Sequence, residues 1–318
     1  MNTASTLGRP GLPLRAGHLA LADLIDLYMA QYEGRDNTRA QRLDWWRVHL
    51  GHLTLAEVTD DHIHAALEHL AHNPPVYFAG LDAQGKRIFK AKRKTLAPAT
   101  VNRYSAAIGS MFTWGQHRRI APVGWVHPCR AVARRKEDNE KTRFLSNDER
   151  ARLLAACKAS KWRPLYVLVL LALTTGARKG ELMGLRWADV DLQLRVIHVG
   201  RSKNGDPKVL PVVPAAAEVL QTMVGKPAAL VFASKEVPEK AFSFEPRVQQ
   251  ALKAAHIRGF RFHDCRHSGA SFLAQHGATL LAIADLLGHR QMSMTKRYSH
   301  LASSHRSELV NRVMGDMR

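Results

Sequence analysis

From His18 onward, apolar residues recur three and four positions apart, the period of a helix with one buried face. In "LALADLIDLYMAQY", Leu21, Leu24, Ile25, Leu27 and Tyr28 fall close to one side. "TRAQRLDWWRVHLG" and "DDHIHAALEHLAH" repeat the pattern, with Gly51 placed as a C-cap between them. A fourth helix is predicted just after Pro98, in "ATVNRYSAAIGSMFTWGQHRR". No convincing strand interrupts them, so residues 18–121 read as an all-α domain. Residues 1–17 have no periodicity and read as a flexible tail.

The pattern breaks twice before it resumes. Asn73 to Thr95 opens on a Pro pair and ends in "KRIFKAKRK", either a solvated loop or short hairpin or an arm that touches phosphates. Lys86, Arg87, Lys90, Lys92, Arg93 and Lys94 favour the arm, because clustered cations displace counterions from a polyanion. Residues 122–142, with Arg134, Arg135 and Lys136, mix Pro, Gly and charge without an apolar period and read as an interdomain linker.

A second domain is predicted over residues 143–318. It starts with a capping box, Ser146 and Glu149, followed by the apolar run Leu165–Leu173 of a buried helix. Alternation over 195–199, a turn containing Asn204-Gly205 and a second run over 208–213 make a hairpin. Leu230-Val231-Phe232 suggests one more short strand. "EPRVQQALKAAH", "HDCRHSGASFLAQHGA" and "LLAIADLLGH" read as helices. Leu309, Val310, Val313 and Met314 outline a last amphipathic helix, suited to a neighbouring protomer or to its own domain.

Charge changes the picture. Lys and Arg number 47 against 27 Asp and Glu, a net charge of +20, which points to a polyanionic partner, nucleic acid before membrane. Cys129, Cys157 and Cys265 are too few and too scattered for a disulfide framework or a zinc ribbon. No apolar run approaches the ~20 residues of a membrane span, and no signal-peptide core opens the chain, so a cytoplasmic protein is expected.

Several polar residues stand out. Arg178, after the sharp Thr175-Gly176 turn, starts a new helix, where backbone N–H groups favour phosphate, and Glu181 one turn on is placed to hold its guanidinium. Alone, such a pair is usually structural. His263 and Arg266 lie at i and i+3 on one helical face. Asp264 and His267 read as packing or polar support, and Cys265 as a small core residue. His289 follows Gly288, a helix C-cap. Tyr298 sits among His289, Arg290, Lys296, Arg297 and His300, on a helix that Ser293 is placed to cap. Lys203 precedes the hairpin turn. His62, His64, His69 and His72 lie on one helix without a further ligand type, so no metal site is expected.

Arg178, Lys203, His263-x-x-Arg266, Gly288-His289 and Tyr298, in this order and spacing, resemble the tyrosine recombinase (phage integrase) family. Its signature runs Arg, Lys, His-x-x-Arg, His or Trp, Tyr. "TGARKGELMGLRWADVD", "SKNGDPKVLPV", "HDCRHSGASFLAQHG" and "LLGHRQMSMTKRYSHL" look like the corresponding family segments, and the resemblance covers roughly residues 20–301.

The resemblance implies a mainly α, two-domain protein: a helical, SAM-like core-binding domain and a mixed α/β, mostly helical catalytic domain with a small sheet. It implies site-specific cutting and rejoining of double-stranded DNA for integration or excision of a mobile element or prophage. Arg178 and Arg266 would grip the phosphate, and Tyr298 would attack it to form a 3′-phosphotyrosyl ester. Lys203 would be the general acid, with Lys208 a weaker alternative. His263 would accept the tyrosine's proton, His289 would hydrogen-bond the phosphate and Glu181 would orient Arg178 or a histidine. No metal, nucleotide or other cofactor is implied. The working assembly would be a homotetramer on two DNA sites in the bacterial nucleoid, with accessory bending or directionality proteins as further partners. Only a short tail precedes the first helix, so an additional arm-binding domain is not expected. A monomeric topoisomerase-like relaxer would share the nucleophile, whereas a DNA-binding relic would lack part of this polar set.

Overall fold

Residues 18–74, 76–81, 84, 86–137, 143–200, 207–302 and 310–315 are described by the computed structural model. Their contacts fall into two units divided between Asn139 and Glu140. The expected tail, residues 1–17, lies outside the described residues.

The first unit is built on helices α1 (Leu21–Ala30), α2 (Arg39–Leu50), α3 (Asp60–His72) and α4 (Pro98–His117). Their apolar faces meet in one core in which Leu24, Ile25, Leu43, Trp46, Ile63, Ile108, Met111 and Phe112 are fully enclosed. Trp46 could not be buried cheaply with its indole N–H unpaired, and it donates to the Tyr104 carbonyl at 3.0 Å. Thr59 caps α3 in an unusual capping box closed by His62 rather than Glu or Gln. Gly51 does end α2, but in a right-handed conformation.

Two expectations need correction here. The domain is not strand-free: β1 (Val76–Leu81) and β2 (Arg87–Ala91) form an antiparallel hairpin with a register shift between Phe78 and Gly80. The shift breaks the simple alternation by which a strand is read from sequence. Nor is the 122–142 stretch a free linker through its described length. Trp125 donates to the Leu55 carbonyl at 2.8 Å, and His127 is buried against α4. Farther on, Asn102 brackets Arg135, donating to its carbonyl at 2.8 Å and accepting from its N–H at 2.9 Å. Residues 138–142 lie outside the described residues.

The second unit opens with α5 (Asn147–Lys158), whose N-cap Ser146 makes the expected capping box with Glu149. α6 (Pro164–Thr175) is apolar on all sides and enclosed on nearly all of them, so it serves as the central post of the unit. Short α7 (Lys179–Met183) follows a left-handed Gly176. β3 (Val190–Asp191), β4 (Val196–Val199) and β5 (Lys208–Pro211) make an antiparallel sheet in that order. β3 carries too few residues to show a period. Leu230 only bridges to Arg186, so the expected 230–232 strand is reduced to isolated pairing. The unit is completed by α8 (Pro214–Gln221), α9 (Glu245–Ala254), α10 (Asp264–Gln275), α11 (Leu280–Leu287) and 3-10 turns at Met292–Met294 and Lys296–Ala302. Tyr298 therefore rides on a 3-10 helix, and Ser293 lies inside the preceding turn rather than capping it. Leu309 and the Asn204-Gly205 turn lie outside the described residues. Val310, Val313 and Met314 are exposed.

α10 crosses α6 at Gly269, where an added Cβ would sit 2.1 Å from the Leu173 carbonyl oxygen. A backbone atom cannot yield as a side chain does, so α10 itself would have to shift. Gly269→Ala is expected to cost about 1–3 kcal/mol in urea unfolding, the usual range for overpacking. Gly180→Ala, where an added methyl meets nothing within 4 Å, is expected to leave the midpoint nearly unchanged.

Candidate active site

Gly176 is the pivot of the site. Its φ of 61° ends α6 in the left-handed region, and a side chain there would strike Leu287 at 2.3 Å. The turn frees two groups for use. Its carbonyl accepts from Arg266 Nη1 at 2.6 Å, and the chain beyond it reaches Arg178 at the N-cap of α7. Arg266 also donates to the Leu287 carbonyl at 2.7 Å, so three elements fix one guanidinium. Arg266 is 4 % exposed, and burial followed by the Arg178 charge pulls its pKa down to about 10.

Glu181 is the carboxylate in this cluster. It accepts from the Arg178 N–H at 2.8 Å and its guanidinium at 3.0 Å, and it lies 2.6 Å from Lys208 Nζ. Side-chain exposure is 5 % for Glu181, 10 % for Lys208 and 19 % for Arg178. Burial alone would raise the Glu181 pKa; the bond to Lys208 and those to Arg178 outweigh it and hold the carboxyl below its ordinary value. For Lys208 burial dominates and depresses the pKa, with Arg266 and Arg178 adding to the effect against the Glu181 attraction. Three cations thus share one carboxylate.

Tyr298 is 2 % exposed, its ring packed with Ala270, Ala274, Ile283 and Leu287. A buried phenol needs a partner. Its hydroxyl lies 2.7 Å from His267 Nδ1, one helical turn beyond His263. Of the two readings of His267, packing or polar support, the contact fits the second: His263 at the N-cap stands exposed, and His267 faces the tyrosine. Burial raises the Tyr298 pKa, opposed by Arg297 and Arg266. His289, placed by the left-handed Gly288 cap, bonds Thr295 Oγ1 through Nδ1 at 2.7 Å. Burial, then Arg266 and Arg178, lower His289 to about 4. Burial and the His263 and Arg297 charges take His267 to about 4 as well. His263 is lowered by partial burial and by Arg266. All three imidazoles are neutral at pH 7.

The structure thus brings Arg178, Glu181, Arg266, His289 and Tyr298 into one region with His263 at its edge. Lys203 lies outside the described residues. Lys208 was named from the sequence as the weaker alternative to Lys203; the place of His267 beside the tyrosine was not. The helical spacing of His263 and His267, together with the partner a buried Tyr298 requires, was the available signal. Asp264, expected to give polar support, is buried and accepts from the Arg261 N–H at 2.8 Å. Among the described residues no group of three or more His, Cys, Asp or Glu is placed to hold a metal.

The low Glu181 pKa has a sign that can be checked. A carboxyl depressed by folding contributes stability that is present above its unfolded pKa and lost as pH falls through the folded value. Glu181→Gln is expected to cost about 3 kcal/mol at pH 7 by stranding Lys208. The gap to wild type should narrow as pH is lowered from 5 to 3. Urea midpoints across that range provide the measurement.

Residues 143–305 match the phage integrase family. The integrase of Salmonella phage P22 is 27 % identical over 293 residues, 86 % of this chain and 73 % of that protein. The shufflon-specific DNA recombinase of Escherichia coli is 32 % identical over 213 residues, 65 % of this chain, which spans about half (52 %) of the recombinase's length. Among solved structures, the Tn1549 transposon integrase in complex with circular intermediate DNA superposes with a TM-score of 0.67 at 18 % identity, over 92 % of this chain and 99 % of that one. A lambda integrase dimer bound to a COC′ core site gives 0.64 at 19 % identity, over 89 % and 78 %. The fold is that of the tyrosine recombinase integrases, and the chain belongs to the phage integrase family.

Proposed function

We propose that this protein is a site-specific DNA recombinase that cuts and rejoins double-stranded DNA through a 3′-phosphotyrosyl ester on Tyr298, to integrate or excise a mobile element. The carrying observation is the charge imbalance at the site: Arg178, Arg266 and Lys208 surround the single carboxylate of Glu181. A phosphodiester is the anion that such a pocket lacks, and planar guanidiniums match its two non-bridging oxygens. Cations already in place when charge builds on those oxygens lower the barrier without reorganising.

In the reaction, Tyr298 Oη attacks phosphorus and the DNA 5′-oxygen leaves with a proton from Lys203. Lys208 is the alternative donor, and its depressed pKa suits the task. His263 and His289, both neutral, serve the phosphate as hydrogen-bond donors. The ester conserves the phosphodiester energy, so a 5′-hydroxyl of another strand can restore the bond. The chemistry therefore calls for neither metal nor nucleotide.

Four protomers acting on two sites would let strands be exchanged, and accessory proteins would set direction. The setting is the bacterial cytoplasm, on the nucleoid; among the described residues no helix is long and apolar enough to cross a membrane. Lys86, Lys90, Lys92, Arg93, Lys94, Arg134 and Lys136 are exposed, and they would be the DNA-contacting cations together with Arg87 of the same basic run in the sequence. Arg135 is a poorer candidate, because its guanidinium is ion-paired to Glu68.

Tyr298→Phe is expected to bind a nicked, end-labelled duplex as wild type does and to yield no slow-migrating covalent band on a denaturing gel. Tight binding by both proteins with an adduct from neither would overturn the catalytic reading. If six or more phosphates are contacted, affinity should fall by about 10³-fold or more between 50 and 200 mM salt.

A further inference from the structure

We propose that His267, rather than His263, takes the phenol proton of Tyr298 during strand cleavage; the proposal rests on the recombinase reading above. Among the described residues the Tyr298 hydroxyl is hydrogen-bonded to His267 Nδ1, at 2.7 Å. The two rings are tilted by 42° with centroids 6.3 Å apart, an edge approach that aims one ring nitrogen at the oxygen. The His263 ring stands perpendicular to that of His267 at 5.4 Å and is the more exposed of the two. A proton leaving Tyr298 meets His267 first.

The direction of the bond follows from chemistry. The burial that keeps Tyr298 a neutral phenol also keeps His267 a neutral imidazole. A phenol is the better donor and an sp² imidazole nitrogen the better acceptor, so Nδ1 carries the lone pair and Nε2 the hydrogen. Transfer in the resting state is uphill, because the phenol is the far weaker acid. It becomes downhill as the Oη–P bond forms and the oxygen turns into an ester oxygen.

The step balances. The Oη–P bond forms while the Oη–H pair stays on oxygen, and its proton moves to His267 Nδ1. The P–O5′ bond breaks, and O5′ takes a proton from the general acid. The groups that set the acceptor's basicity are His263, Asp264 and Arg266 on and beside its own helix, Arg297 on the Tyr298 segment, and His289 beyond α11. Two of these, Arg266 and Arg297, are positive at pH 7 and oppose a positive imidazole. A phosphate bound to Arg266 offsets that opposition, so the acceptor gains strength when substrate is present.

The test uses the full chain and a nicked duplex carrying a site selected from random-sequence DNA by binding to Tyr298→Phe. His267→Asn retains an oxygen near the Nδ1 position that can hold the hydroxyl but cannot accept its proton; His267→Ala loses both. Single-turnover adduct formation by His267→Asn is expected to fall about 100-fold at pH 7, the usual worth of general-base catalysis. The loss should shrink as pH rises toward 10, and also when a fluorinated, more acidic tyrosine occupies position 298. DNA affinity should stay at the wild-type level. A wild-type or faster rate in both variants would overturn the proposal and show the contact to be only a restraint. A deficit equal at every pH would overturn it too. If wild type itself forms no adduct, the recombinase reading falls first.

Discussion

Like-charge repulsion between Arg178 and Arg266 is the constraint to which the second unit is fitted. Neither cation can relax outward: Arg178 is tied to Glu181, and Arg266 is held by two main-chain carbonyls from different parts of the fold. Carbonyl dipoles satisfy the guanidinium N–H groups without neutralising their charge, so the pocket keeps its excess of positive charge. Lys208 adds to it from the sheet side, and Glu181 compensates for only part. Left empty, such a pocket is a cost that the surrounding core must offset. The all-apolar α6, enclosed on nearly every side, is well suited to that role, since its end forms the turn from which both arginines are held.

The helices, the capping box at Ser146 and the order of polar residues were legible in the sequence because they depend on local spacing. The parts that were not legible depend on tertiary contact. Asn102 and Arg135 clasp each other across 33 residues, which turns an apparently free, charged linker into part of the first unit. A short hairpin was one of the readings open for Asn73–Thr95, and its register shift kept the alternation from deciding between hairpin and loop. At the site, order along the chain singled out Arg178, Arg266 and Tyr298, and the fold brings the three into one region. Only packing could distinguish His263 from His267, because both lie on one turn of one helix and differ in what faces them.

Tyr298 combines two environments that sequence patterns treat as exclusive. Its immediate neighbours in the chain are cationic, yet its ring lies in an apolar cluster from α10 and α11. The 3-10 helix reconciles them by turning the ring inward while leaving Lys296 and Arg297 outside. The hydroxyl is thereby hydrogen-bonded and the ring covered, and the same burial keeps the neighbouring His267 imidazole weakly basic.

The span of the contacts at Arg266 carries a consequence for how the protein folds. The bond from Arg266 to Gly176 closes a loop of 90 residues, and that from Leu145 to Ser268 closes one of 123. Loop closure of that length costs entropy, so contacts such as these slow folding relative to local ones. The Arg266 guanidinium is held at Gly176 only when this crossing is formed, whereas the Tyr298–His267 contact, 31 residues apart in sequence, is made within α10 and the final 3-10 helix and does not involve α6. Opening at this crossing would release Arg266 from Gly176 and leave the tyrosine on its histidine, so the two halves of the cluster are separable in the fold.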